Sequence, residues 1–402
     1  MAFSSCLSKG RMSLKLTIIL FELMDAMQNS PSELSINKPD FSRNVYSILG
    51  LPFDAFNLQQ AQEAILYAID NKQRCFLTTP NLNFLIAAQE DDAFYQSVID
   101  SDISSADGMS VVWLAKLLGI PLKGRVAGSD LFAELSQLKQ REKKISVFFF
   151  GGQAGIAEQA SLQLNQKSKS MICCGYHDPG FGAVDEMSAD AIIQKINQAN
   201  PDFLVVALGA EKGQAWIQKN KHRLNAPVIS HLGAVINFVA GHVERAPICW
   251  QQVGFEWLWR IKQEPSLWRR YFFDSLVLTN LMLTKVMPLA VYDRYLKRSM
   301  AYSIPMEVVL GGSTEQLVHL SGSLKSTSLG GLKCVFNKVL SSEDKVVVLD
   351  FSKVTYLGAE FIAQIVLLQN KLLEQGRELA LQGISKRSKY LLELNLVWNR
   401  FV

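Results

Sequence analysis

The stretch ISVFFFGGQAG, residues 145–155, decides the fold class of this chain. Its first six residues form an apolar run typical of a buried strand, two glycines follow, and a helical pattern begins at Gly155. Similar apolar runs occupy residues 74–79, 171–175, 203–208 and 227–232. Because short apolar runs alternate with longer helical patterns, the sequence predicts a mostly parallel, Rossmann-like α/β sheet with helices on both faces.

Further segments surround this predicted sheet. A chain of 402 residues is too long for one ordinary core, which indicates more than one domain. The sheet pattern predicts a core domain over residues 45–248, and residues 1–44 are interpreted as an N-terminal extension. Over residues 249–300 the strand pattern stops, and tryptophan and arginine interleave in a predicted helical appendage. Strand and helix patterns then alternate again and predict a small second α/β domain over residues 305–402.

The composition excludes several classes of protein. A hydrophobic share of 49% is typical of a globular chain, and a net charge of +4 is too small to indicate a nucleic-acid partner. The six cysteines form no CxxC pair and the five histidines are scattered, so we expect neither a metal site nor a cofactor. Cysteines without a pairing pattern favour the reducing environment of the cytoplasm.

The appendage bears on membrane association. The sequence contains no uninterrupted run of 18 apolar residues, and we therefore expect no membrane-spanning helix. The appendage nevertheless combines Trp257, Trp259, Trp268, Arg269 and Arg270, a composition that suits a peripheral position at a membrane surface. An ordinary pair of helices packed on the core explains the same composition equally well, so both interpretations stay open.

The candidate site lies in loops at the predicted carboxyl ends of the strands, where open α/β sheets bind ligands. Thr79 and Asn81 lie in one such loop. Asp107 and Gly108 directly precede a helix predicted over residues 109–118, so Asp107 fits either a helix cap or a general base. The remaining substrate-binding candidates are Arg125, Gly128, Ser129, Asp130, Gly151, Gly152, His177, Gly209, Lys212, Gln214, Arg245, Arg260, Arg269 and Arg270.

Two of these groups favour phosphate as the ligand. Arg125 followed by a Gly-Ser-Asp helix start suits phosphate contacts, since arginines and helix N-termini both bind anions. Gly151 and Gly152 lie at a strand-to-helix turn whose N–H groups can hold a diphosphate. The turn lacks the full G-x-G-x-x-G pattern, which counts against a dinucleotide-dependent oxidoreductase.

Eight ordered motifs make a resemblance specific: TTPN (78–81), ADGMSVVWLAKLLG (106–119), RVAGSDL (125–131), FFFGG (148–152), GYHDPGF (175–181), PDFLVVALGAEK (201–212), GHVERAP (241–247) and GFEWLWRIKQEPSLWRR (254–270). Over about residues 45–272 the chain resembles the WecG/TagA/CpsF glycosyltransferases. The resemblance implies an inverting, metal-independent transferase. It would move an N-acetylmannosamine-type sugar from a UDP-sugar donor to a lipid-linked acceptor, N-acetylglucosamine on undecaprenyl diphosphate. The implied location is the inner face of the plasma membrane, and the product is a precursor of cell-surface polysaccharide.

The resemblance also implies roles for individual residues. Asp107 matches the proposed catalytic base, and Thr79 and Asn81 match pocket residues beside it. Arg125 matches an arginine expected near phosphate. The arginines that resemble those thought to close over the diphosphate are Arg245, Arg260, Arg269 and Arg270.

The chain departs from the family pattern at two places. The family usually reads G-x-P-K-Q-E where this chain has GAEKGQ, residues 209–214, and it reads G-G-x-F-D where this chain ends in Asn237. Both changes fall on the sugar-nucleotide side of the pocket. The altered GAEKGQ segment favours an alternative function, a scaffold that organises a polysaccharide assembly complex and docks partners through its second domain. The intact Asp107, Asn81 and Arg125 favour the transferase.

The C-terminal segment resembles a STAS domain, mainly through residues 346–361 and 374–379. STAS proteins of the switching kind carry Asp-Ser at the start of the central helix, where this chain has Gly358 and Ala359. The resemblance therefore implies a module that docks a protein partner and is not phosphorylated at that position.

Overall fold

The architecture is taken from a computed structural model that describes residues 41, 43–139, 141–247, 249–250, 254–311, 316–325 and 329–401. The N-terminal extension expected over residues 1–44 lies outside the described residues, apart from residues 41, 43 and 44. The described residues form part of one compact unit, Ile36–Val402.

A six-stranded parallel sheet forms the core of the larger part of the chain. Its strands are β3 (Cys75–Thr78), β4 (Ile103–Ser104), β5 (Ile145–Gly151), β6 (Met171–His177), β7 (Phe203–Ala207) and β8 (Val228–His231). Their order across the sheet is β4-β3-β8-β7-β5-β6, and every neighbouring pair is parallel. The predicted fold class is confirmed.

Helices connect these strands and cover both faces of the sheet. They are α1 (Leu58–Asp70), α2 (Leu82–Glu90), α3 (Asp92–Ile99), α4 (Met109–Leu118), α5 (Gly128–Ser136), α6 (Ile156–Lys167), α7 (Asp190–Ala199), α8 (Ala210–Asn220) and α9 (Gly233–Ala240). Successive residues of a strand point to opposite faces. Phe150 of β5 accordingly stacks on Trp216 of α8 with ring centroids 4.3 Å apart, whereas Phe149 packs against Phe132 of α5.

A two-stranded hairpin that the sequence patterns did not predict precedes the sheet. It pairs β1 (Val45–Ile48) with β2 (Leu51–Asp54), and its two turn residues Leu49 and Gly50 have positive φ, as a tight two-residue turn requires. All eight strand residues are buried, so the alternation that usually marks a hairpin strand is missing.

From residue 254 onward, where the structure describes the appendage without a gap, it contains two longer helical segments. The first is α10 (Glu256–Gln263). The second begins with a short 3₁₀ turn and runs through α11 (Trp268–Leu281), a π-helical turn (Met282–Val286) and α12 (Met287–Arg298) without interruption.

This long helix corrects the expectation that no helix could span a membrane. Pro265–Arg298 has 34 residues and is long and apolar enough to cross a membrane by length and composition, and only 22% of its most apolar window is buried. The charged residues Asp274 and Lys285 break the run of apolar residues in the sequence, but the helix continues through both positions. Length and composition alone do not distinguish a spanning helix from one that lies on a surface.

The C-terminal part is a second α/β domain, built from one four-stranded sheet and the helices that pack on it. Its sheet has the order β12-β11-β10-β9, formed by β9 (Glu307–Gly311), β10 (Gln316–Leu324), β11 (Val346–Leu357) and β12 (Glu378–Gln382). Only β9 runs antiparallel to its neighbour. Its helices are α13 (Gly330–Leu340), α14 (Ala359–Glu374) and α15 (Lys386–Leu394).

The central helix of this second domain, α14, is buried on nearly all sides because it lies between its own sheet and β1. Gln364 of α14 donates to the Arg43 carbonyl at 3.3 Å, and Arg400 pairs with Asp92 of α3. At the start of α14, Gly358 and Ala359 line a pocket of about 220 Å³ against α12. The position where a switching STAS domain carries its serine therefore faces the chain's own appendage.

Candidate functional site

The site is built around Asp107, in the loop between β4 and α4. Backbone hydrogen bonds tie this loop to two others: Asp107 N–H donates to the Pro80 carbonyl at 3.0 Å, and Val126 N–H donates to the Ala106 carbonyl at 2.8 Å. These bonds bring the loops that carry Asn81, Asp107 and Arg125 to one edge of the sheet. For Asn81 and Asp107 the convergence follows from the parallel sheet, since β3 and β4 end on that edge, and Arg125 is added by the loop between α4 and α5.

Asp107 does not cap the following helix. The N-cap of α4 is Gly108, which has φ +106° and no side-chain capping bond. Burial raises the pKa of the Asp107 carboxyl to about 7, the nearby charges of Glu256 and Asp130 act in the same direction, and Arg125 and Arg260 oppose them. A carboxyl with this pKa can exchange protons near neutral pH.

Asp107 lines a pocket of about 310 Å³ between the sheet edge and the appendage. The predicted site residues that line it are Asn81, Asp107, Gly108, Arg125, Ser129, Arg260 and Arg270. The appendage contributes most of the opposite wall, through α10 and α11. The appendage is therefore part of the site and covers the base.

Arginines and carboxylates form a chain along the pocket. Arg125 donates to Glu256 at 2.6 Å and to Asp130 at 2.7 Å, and Asp130 also pairs with Arg245 at 2.5 Å. Buried N–H groups remain without a hydrogen-bond partner among the described residues: Nε and one Nη of Arg245, and Nε of Arg260. Buried donors of this kind are costly unless an acceptor reaches them, which suits a site for an anionic ligand.

Two predicted site residues have clear structural roles beside the pocket. The Asn81 side chain accepts a hydrogen bond from Phe84 N–H at 3.3 Å and caps α2. Gly128 packs so closely on Leu232 and Thr79 that a Cβ at this position would overlap Leu232. Thr79 is itself buried beneath the pocket.

The other predicted residues lie elsewhere on the same sheet edge or outside the pocket around Asp107. Gly151 ends β5 and Gly152 follows it, close to β7 and α9. His177 ends β6, and burial together with the charge of Lys195 lowers its pKa. Gly209 is the N-cap of α8, and Lys212 donates to the Gly182 carbonyl at 2.9 Å. Arg269 is exposed and lies over the Trp268 ring.

Gln214 lies in the protein interior, although we expected it to contact substrate. It is fully buried in α8, and neither amide atom has a hydrogen-bond partner among the described residues. The family pattern places its glutamine one position earlier, and here that position is Gly213. The His231 ring fills the space next to Gly213.

Sequence reasoning missed His231 and the acidic and aromatic residues of the appendage. Burial lowers the pKa of His231 to about 4, so the ring is neutral, and its Nε2 lacks a partner within the described part of the chain. Glu256, Trp257, Tyr271 and Asp274 line the pocket around Asp107. The motif GFEWLWR contains Glu256 and Trp257, so the sequence held a signal for both residues.

The fold and the site define a glycosyltransferase, and comparisons with known proteins agree. The pattern of the glycosyl transferase WecG/TagA/CpsF family matches residues 46–290, and that of the MlaB-type STAS domain matches residues 311–395. The chain therefore belongs to the WecG/TagA/CpsF family of glycosyltransferases and carries a C-terminal STAS domain.

Three curated relatives bear the same name, N-acetylglucosaminyldiphosphoundecaprenol N-acetyl-beta-D-mannosaminyltransferase. The Bacillus spizizenii protein is 30% identical over 202 residues, which cover 50% of this chain and 76% of the relative. The Bacillus subtilis protein is 28% identical over 202 residues, which cover 50% of this chain and 77% of the relative. A Staphylococcus aureus protein is 25% identical over 225 residues, covering 56% and 85%.

Proposed function

We propose that this protein transfers an N-acetylmannosamine-type sugar from a UDP-sugar donor to an acceptor sugar linked to undecaprenyl diphosphate, with inversion and without a metal. The names of the relatives describe a transfer of this kind. The observation that carries the proposal is the pocket itself: a carboxyl with a pKa of about 7 stands beside buried guanidinium groups with unpaired N–H donors.

In the proposed reaction Asp107 acts as the general base. It removes the proton of the acceptor hydroxyl while the hydroxyl oxygen bonds to the anomeric carbon and the bond from that carbon to UDP breaks. A base whose pKa lies near the working pH is well suited to this step. The proton ends on the Asp107 carboxyl, and UDP leaves with the electron pair of the broken bond.

The leaving diphosphate gains negative charge, and the arginines are placed to stabilise it. We assign this role to Arg260 and Arg245, whose unpaired N–H groups can donate to phosphate oxygens. Arg125 and Arg270 line the same pocket as Arg260 and would add positive charge near the diphosphate. Arg269 is exposed at the rim and would contact the lipid-linked part of the acceptor or an anionic headgroup.

The appendage also supports a peripheral position at the inner face of the plasma membrane. An apolar stripe follows the long helix, with Phe273 62%, Leu283 69%, Val291 61% and Tyr295 66% exposed. Large exposed apolar surfaces usually mark an interaction site. Trp268 and Arg269 at one end suit an interface, and the acceptor's polyprenyl chain would lie in the same membrane.

We propose that the chain is divided into an N-terminal extension (1–44), a transferase core (45–248), an appendage (249–300) and the STAS domain (305–402). For the STAS domain we propose that α14 stays docked on the transferase. A protein partner would then use another face of that domain.

Release of UDP tests the proposed function. The purified chain is incubated with UDP-N-acetylmannosamine and a short-chain analogue of undecaprenyl-diphosphate N-acetylglucosamine. We expect acceptor-dependent release that Asp107→Asn removes and Asp185→Asn leaves unchanged, since Asp185 is an exposed carboxylate that pairs with Lys219. No release above the donor-only background would favour the alternative, a scaffold without transferase activity.

A further inference from the structure

Glu256 connects the appendage to the core at the pocket. It is the first residue of α10, and its Oε2 accepts a hydrogen bond from Arg125 Nη1 at 2.6 Å. The other terminal nitrogen of Arg125 donates to Asp130, the third residue of α5. Arg125 is thus held between one carboxylate from the core and one from the appendage. A planar guanidinium held at both ends keeps a fixed orientation.

The same contact positions a second arginine. Arg260 lies four residues after Glu256 on α10, so the two side chains share a face of the helix. Both line the pocket, and the Arg260 Nε there lacks a hydrogen-bond partner among the described residues. Docking of Glu256 on Arg125 therefore also fixes where Arg260 enters the site.

Asp107 lies in the electrostatic field of this cluster. The charged groups that act on its carboxyl are Arg125, Asp130, Glu256 and Arg260, and the other titratable residues of the pocket wall are Arg270, Tyr271 and Asp274 from α11. Burial is the largest cause of the raised pKa of Asp107, and the negative charge of Glu256 adds to it. In a partly buried pocket such a charge acts more strongly than on the open surface.

We propose that Glu256 is a positioning residue of the transferase, which holds Arg125 in place from the appendage side and places a negative charge in the pocket wall around Asp107. This inference rests on the proposed function. Beyond that function, it states that both the docking of the appendage on the core and the basicity of Asp107 depend on the carboxylate of Glu256.

The test is the pH profile of kcat/KM for Glu256→Gln. This variant keeps the shape of the side chain and a hydrogen-bond acceptor for Arg125 but removes the charge. Loss of a nearby negative charge lowers the pKa of Asp107, so the acid limb moves to lower pH by about half a unit to one unit. With a wild-type pKa of about 7, the fraction of plateau activity retained at pH 6 rises about two- to fivefold.

Two further variants separate charge from structure. Glu256→Asp keeps the charge on a shorter side chain, and we expect an acid limb close to that of wild type with a lower plateau, because Arg125 is no longer held. Glu264→Gln makes the same charge change at the residue that follows α10, where the carboxylate lies 4.0 Å from Arg260, and should leave the limb in place. Melting temperatures of all variants establish that they are folded.

An acid limb of Glu256→Gln that coincides with wild type overturns the inference, and so does an equal shift in Glu256→Asp. Either result leaves the proposed function intact as long as the wild-type enzyme releases UDP and Asp107→Asn does not. Absence of wild-type activity would instead reject the proposed function, and this inference with it.

Discussion

Replacing Asp107 by asparagine separates a catalytic role from a structural one. The amide has nearly the same size but cannot accept the acceptor's proton. General-base catalysis contributes on the order of 10²–10⁴-fold in rate, equivalent to roughly 3–5 kcal/mol of activation free energy. We therefore expect kcat to fall by at least about a hundredfold, with a smaller change in the KM for the donor.

The structure also determines how Asp107→Asn should change the free energy of unfolding. The pKa of Asp107 rises from 3.8 to about 7 on folding. The folded state therefore loses stability as the pH rises from about 4 to about 7, because a charged carboxylate must then be buried. One pKa unit corresponds to about 1.4 kcal/mol, so the asparagine variant should be more stable at pH 8 by roughly 1–4 kcal/mol. Below pH 4 the two proteins should be equally stable.

The assay measures UDP release and thermal unfolding on the same samples at pH 4, 6 and 8. A turnover within about threefold of wild type, well under the range for general bases, would show that Asp107 is not the base. A variant less stable than wild type at pH 8 would show that the buried-carboxylate account of its pKa is wrong, even if activity is lost.

Two further predictions concern the surfaces around the site. Leu283→Asp, on the exposed stripe of the long helix, should reduce co-sedimentation with anionic liposomes severalfold, whereas Leu162→Asp, on an equally exposed position of α6, should not; equal binding by both variants would reject the stripe as the contact. Arg400→Ala removes the pairing with Asp92, a hydrogen bond to the Ala88 carbonyl at 3.0 Å and the contact with the Tyr95 ring, and should lower the free energy of unfolding by about 1–3 kcal/mol. Proteolysis should then cut more readily between the two domains, and an unchanged cleavage rate would contradict the docked position of the STAS domain.

Much of the fold could be predicted because its signals are local. The apolar runs at residues 145–150 and 203–208 become β5 and β7 with small changes at their ends, and the helix predicted over residues 109–118 is α4. The β1–β2 hairpin could not be predicted, since both of its strands are buried on every side by distant elements. Burial of that kind depends on tertiary contacts with α14.

The part of the site that lies in loops directly after strands could be predicted from the sequence. Asn81 and Asp107 meet because the parallel strands β3 and β4 end at one edge, whereas Arg125 comes from the loop between α4 and α5, which a backbone hydrogen bond ties to the Asp107 loop. Glu256 was not predictable from residue type, because its role depends on how the appendage folds back over the core. The burial of Gln214 was not predictable from the sequence, because which face of α8 lies in the interior depends on how the helix packs on the sheet.

The linkage of the product tests the central claim most directly. UDP-N-acetylmannosamine carries its sugar in the α configuration, so an inverting transferase that uses Asp107 as base must form a β-linked disaccharide on the lipid diphosphate. The measurement is the anomeric configuration of the purified product by NMR, from reactions with wild type and Asp107→Asn. We predict a β linkage from wild type and product formation at least about a hundredfold slower from the variant. An α linkage, or product formation at the same rate by both proteins, would contradict the account.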